Sequence, residues 1–167
     1  MVALLLLALY TRNSAPDPVE THASATALAE TQQQKAGAPV PTETLQIITA
    51  AGTHTIKIEV ARTPDQQARG LMFRTSIDDD HGMLFPHDEP RELSMWMRNT
   101  YISLDMVFIR PDGVIHRIAE RTEPLSDKVV SSNGDVSAVL ELAAGSAERL
   151  GLKPGDRVEH QIFQSSR

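Results

Sequence analysis

Apolar and polar residues alternate with period two over much of this chain beyond residue 44, and that alternation predicts strands. In THTIKIEVA (53–61), Ile56, Ile58 and Val60 fall on one face with polar residues between them. LQIITA (45–50) precedes this run across a turn at Ala51 and Gly52. Further along, MLF, ELSMWMR, YISLDMVFI, VIHRIAE, AVLELA and RVEHQIF read as strands. YISLDMVFI is apolar on one face at Ile102, Leu104, Met106 and Phe108, and its other face is broken by Ser103 and Asp105. Pro111-Asp112-Gly113 supplies turn chemistry between it and VIHRIAE, so a hairpin is expected there.

Helical signals are brief. Thr63-Pro64-Asp65-Gln66 combines a capping residue, a proline suited to the first helical position and a glutamine where a capping-box partner belongs. This helix is expected to end near Gly70. Ser146 is the expected cap of a second helix, SAERL, which Gly151 stops. The pattern as a whole predicts a mainly β (α+β) domain over residues 42–164, a small barrel or sandwich with two short helices.

The first 41 residues follow a different rule. VALLLLALY (2–10) is apolar but too short to cross a hydrocarbon core of about 30 Å. It fits the apolar part of a signal peptide or N-terminal anchor over residues 1–25, although no Lys or Arg precedes it. Residues 26–41, rich in Ala, Thr, Gln and Pro, bury too little apolar surface to offset chain entropy and read as a disordered linker. The expected location is therefore periplasmic or secreted, with membrane attachment only through an uncleaved leader.

Composition narrows the chemistry. Cysteine is absent, which excludes disulfide scaffolds, thiol catalysis and cysteine-based zinc sites. A formal charge of -6 and no polybasic run speak against nucleic acid or anionic lipid as a partner. Phosphate-cradling glycine loops, HExxH and GxSxG are all missing. Five of the six methionines lie between Met72 and Met106, with His81 and His87 nearby. Thioethers with imidazole suit Cu(I), but the histidines lack ligand spacing and methionine is foremost a core filler, so no metal or cofactor is expected. Asp78-Asp79-Asp80-His81-Gly82 misses the alternating acids of a calcium loop and reads as a turn.

Two groups of residues could carry a function. Asp105 and Glu141 are carboxylates in otherwise apolar strands, and such groups are costly to bury unpartnered. Converging, they would make an acid and base pair for a hydrolase or lyase. Apart, Asp105 would be structural, accepting backbone N–H groups or pairing with an arginine such as Arg98. Trp96, Arg98, Asn99 and Thr100 offer a stacking surface, a cation and two hydrogen-bonding side chains. On a strand, Trp96 and Arg98 would face a ligand while Met95 and Met97 face the core. A tryptophan packed in the core is the plainer alternative.

The ordered phrases GLMFR (70–74), GMLF (82–85), WMRNT (96–100), LDMVFI (104–109), DGVI (112–115), VLELAAG (139–145) and GLKPGD (151–156) resemble the domain of unknown function 192 family. The likeness runs from about Ile56 to Val158. It implies a small, largely β domain, often behind a signal peptide or lipoprotein leader, in a family without a settled activity. The resemblance draws attention to Met72, Gly82, Met83, Trp96, Met97, Asn99, Thr100, Asp105, Glu141 and Gly145. Many members carry Lys at the place of Arg98, which weakens any role needing a guanidinium fork. The leading expectation is an extracytoplasmic module that binds a small molecule or protein partner through Trp96, Arg98, Asn99 and Thr100. Whether it is also an enzyme is left open, with Asp105 and Glu141 as the catalytic candidates.

Overall fold

A computed structural model of the chain describes residues 41–164. The expected leader (1–25) and almost all of the expected linker lie outside the described residues. Among the described residues, no helix is long and apolar enough to cross a membrane.

The described part is mainly β. Its strands are β1 (Thr42–Thr49), β2 (Gly52–Val60), β3 (His81–Met95), β4 (Leu104–Ile109), β5 (Ile115–Ala119), β6 (Val130–Ala143) and β7 (Arg157–Glu159). Three short helices accompany them: α1 (Pro64–Arg69), α2 (Ser146–Leu150) and α3 (Gln161–Gln164). One seven-stranded sheet has the order β5-β4-β6-β3-β2-β1-β7. Neighbours are antiparallel except β2 and β3, which run parallel and are joined through α1 and the segment 70–80. The sheet curls into a half-barrel whose two edge strands touch at one end. Val114 bridges Arg157 there, and the Val158 N–H donates to the Gly113 carbonyl at 2.7 Å. Gly113 makes the closure possible: it turns at φ 80°, and a Cβ on it would lie 2.5 Å from the Val158 oxygen.

Both faces of the sheet are covered. The inner cluster draws on all seven strands, including Leu45, Ile58, Leu84, Val107, Ile115, Leu140 and Val158. The outer cluster joins Met83, Phe85, Met106, Phe108 and Val139 to Ala61, Leu71 and Met97 from the connecting segments. β4 is therefore buried at all six of its positions, which is why it reads as apolar on both sides apart from Asp105. Gly82 marks a close approach between β3 and β6. A Cβ at this position would meet the Glu141 carbonyl oxygen at 2.7 Å and a Leu142 methyl at 2.8 Å. Gly82→Ala should destabilise the domain by about 1–3 kcal/mol, because backbone must move. A urea midpoint equal to that of the parent would refute this.

Several elements appear where the alternation and caps put them. The capping box is complete, with Thr63 accepting from the Gln66 N–H at 3.2 Å and Gln66 Oε1 accepting from the Thr63 N–H at 3.0 Å. Pro111-Asp112-Gly113 joins β4 to β5, and Gly151 ends α2 at φ 67°. Other elements differ. MLF and the start of ELSMWMR belong to one strand, β3, interrupted by register shifts around His87–Pro90 and Leu93. β4 starts at Leu104, because Tyr101–Ser103 form an irregular link, bent at Ile102, between the turn at Arg98–Asn99 and the sheet. RVEHQIF stops being a strand after Glu159, and α3 turns Phe163 into the inner core. The cap of α2 is Gly145 at φ 86°, while Ser146 is the first helical residue and its side chain caps nothing.

Candidate functional site

With Gly145 as the cap, no side chain of α2 itself caps its first turn, and the Ala147 N–H finds its partner across the sheet. Asp105, 0% exposed on β4, accepts the Ala147 N–H through Oδ2 at 2.8 Å and the Arg121 N–H through Oδ1 at 2.8 Å. Its carboxyl thus pins the first turn of α2 and the segment after β5 to the sheet. Arg98 takes no part in this. It pairs with Asp127 at 2.7 Å, and its guanidinium lies over the Trp96 ring, 5.4 Å from the centroid.

Register decides whether Asp105 and Glu141 can meet. Across β4 and β6, Asp105 is opposite Leu142 and Met106 is opposite Glu141. Directly paired residues share a face and successive residues alternate, so the two carboxyl groups leave opposite sides of the sheet. Asp105 points with Leu142 toward the inner cluster, and Glu141 points with Met106 and Met83 toward the outer one. The acid and base pair expected of a hydrolase or lyase is therefore corrected: one substrate group cannot lie between them.

Glu141 is the unusual group that remains. It is 5% exposed, and among the described residues nothing donates to its carboxyl or pairs with it. Burial alone pushes its pKa from the ordinary 4.5 up to about 8, so it is mostly protonated at neutral pH. It reaches a cleft of about 130 Å³ between the C-terminal end of α1 and the end of β3. Leu71, Phe85 and Met95 give this cleft apolar walls, Trp96 and Thr100 stand at the end of β3, and Arg69 comes from α1. Gln67 braces one wall by donating from Nε2 to the carbonyls of Ala61 (3.2 Å) and Pro86 (2.8 Å).

The end of β3 is shaped by a turn rather than by continued alternation. Asn99 sits at φ 56°, and the Thr100 N–H donates back to the Met97 carbonyl at 3.1 Å. Met97 is buried as expected, whereas Met95 is only half-buried and lines the cleft beside Trp96. Three backbone bonds tie the surrounding loops together: Phe73 N–H to Asn99 O, Leu125 N–H to Thr100 O, and Met97 N–H to Ser126 O. Of the four expected ligand residues, Trp96 and Thr100 line the cleft with Glu141; Arg98 and Asn99 do not. Arg98 stacks on Trp96 instead, and the Asn99 amide reaches Met72 Sδ at 4.0 Å. Arg69, Gln67 and Ser94 also line the cleft, and nothing in a short surface helix or at an exposed strand position singles them out in the sequence.

Among the described residues, Asp78, Asp80 and His81 bring metal-capable atoms within 4.8 Å of one another. Asp80 is already held by Lys57 at 3.0 Å and by His81 at 2.7 Å, so the trio reads as an ion-paired turn.

Fold and site together define a small half-barrel domain with a covered outer face and a cleft opening onto a buried carboxyl. The chain belongs to the DUF192 family, described as "Uncharacterized ACR", whose model matches residues 46–160. Among solved structures it is similar to a protein from Sinorhizobium meliloti 1021 described as a candidate transcription regulator. That match has 46% identity and a TM-score of 0.71, over 74% of this chain and 96% of the other. It is also similar to a protein of unknown function from Novosphingobium aromaticivorans DSM 12444, at 39% identity and a TM-score of 0.70, over 75% of this chain and 94% of that one. No curated protein matches.

Proposed function

We propose that this domain is an extracytoplasmic binding or accessory module whose ligand site is the cleft over Glu141. The observation that carries the reading is Glu141, a residue 5% exposed whose carboxyl has no partner among the described residues and opens onto the cleft. A ligand would complete its hydrogen bonding, and a cleft residue with a strongly displaced pKa is a candidate functional group. Trp96 adds a large, half-exposed aromatic at the rim. Exposed Phe73 and Tyr101 meet edge to face nearby in sequence on the tied loops, giving a small or macromolecular ligand more apolar surface. The regulator description of the S. meliloti relative is not adopted, because a formal charge of -6 provides no basic footprint for nucleic acid. The extracytoplasmic part of the proposal rests on the apolar run at residues 2–10.

Amide NMR of the protein against a set of small fragments tests the site. Binders should shift Leu71, Met95, Trp96 and the neighbours of Glu141 together. Shifts confined to other surfaces, or none, would remove the cleft as a ligand site. Fusing residues 1–41 to a reporter that is active only outside the cytoplasm tests the compartment, and an inactive fusion would refute it.

A further inference from the structure

Resting on the cleft reading above, we propose that its ligand is a small monocarboxylic acid: the protonated carboxyl of Glu141 hydrogen-bonds to the ligand carboxylate, and Arg69 supplies the opposite charge. The apolar remainder of the acid would lie along Leu71, Phe85 and Met95.

Charge makes the choice among ligand classes. Every residue lining the cleft other than Arg69 and Glu141 is uncharged, the polar Gln67, Ser94 and Thr100 included. Met106 on β4 and Met83 on β3 flank Glu141 in the sheet and are apolar. Arg69 is thus the charged residue of the lining besides Glu141, and among the described residues it makes no ion pair. With Glu141 protonated, the lining carries net positive charge and presents an O–H donor against apolar walls. An anion with one charge matches both features, and a hydrogen bond to a carboxylate is of the stronger, charge-assisted kind.

The competing classes fit less well. An ammonium ligand would have to ionise Glu141 among apolar neighbours and pass Arg69, and the Trp96 face that would attract it is already stacked by Arg98 at 5.4 Å. A dianion such as phosphate would bring two charges to a single uncommitted cation in a largely apolar cleft. An alcohol would leave Arg69 unused.

The test uses butyrate, butanol and butylammonium with the full chain, reading the fluorescence of Trp96, the only tryptophan. Butyrate should cause a saturable change at pH 6 that is about tenfold weaker at pH 9, because Glu141 must lose its proton near pH 8. Glu141→Gln keeps a neutral donor, so it should bind butyrate at both pH values and abolish the pH dependence. Arg69→Gln, an exposed change, should weaken butyrate about tenfold while leaving the pH dependence in place. Preference for butylammonium or butanol would overturn the acid while the cleft reading stands, as would the same pH dependence in the parent and Glu141→Gln. If none of the three probes perturbs Trp96, both the acid and the cleft reading fall.

Discussion

Asp105→Ala is expected to lower stability by about 3–5 kcal/mol, a fall of about 10–20 °C in Tm for a domain of this size. The carboxyl is fully buried and accepts two backbone N–H groups, from Arg121 and Ala147, each at 2.8 Å. Removing it strands both donors, and each unsatisfied donor costs about 1–3 kcal/mol. Asp105→Asn should lose less, because its amide oxygen still serves one donor while its NH2 confronts the other. The effect should also be local: hydrogen exchange at Ala147 and Arg121 should accelerate before exchange in the inner strands. An Asp105→Ala protein within 1 kcal/mol of the parent would show that these bonds do not hold α2 to the sheet. Asp105 therefore marks a constraint on architecture, and its burial in an apolar strand is explained without catalysis.

What could be read from the chain in advance was whatever depends on neighbours in sequence. Ile56, Ile58 and Val60 alternate within one strand, the Thr63 capping box spans four residues, and Pro111-Asp112-Gly113 is a self-contained turn. What depended on distant pairing was hidden. β6 begins at Val130, well before AVLELA, since its polar first half carries Asn133 and Gly134 at φ 55° and 154° within a strand. Ordinary alternation gives no sign of such an irregularity. Alternation gives Trp96 and Arg98 one face only if β3 continues, but it ends at Met95 and the chain turns. For Asp105 and Glu141 the question was one of register: a slip of one residue between β4 and β6 would have placed both carboxyls on one face. No local feature of either strand encodes that choice.

Glu141→Gln should strongly change the pH dependence of stability. In the folded state the Glu141 pKa lies at about 8, raised by burial above the ordinary 4.5 that applies to the unfolded chain. Between those values the folded protein holds a proton that the unfolded chain has released, so stability falls as pH rises. The native state is favoured fully below about pH 4.5, loses ground up to about pH 8, and carries the whole penalty above it. Proton linkage puts that penalty on the order of 4–5 kcal/mol. His160 and His87, whose pKa values burial holds below the usual 6.5, act in the opposite direction as they become neutral. The informative quantity is therefore the difference between the parent and Glu141→Gln in urea unfolding at pH 5 and pH 9. At pH 5 the two should agree within about 1 kcal/mol, since an amide closely matches the protonated acid in shape. At pH 9 the variant should be the more stable by several kcal/mol. Equal stabilities at pH 9 would mean that water or a neighbouring group satisfies the ionised carboxylate. That result would also remove the physical reason for treating the cleft as a site that waits for a partner.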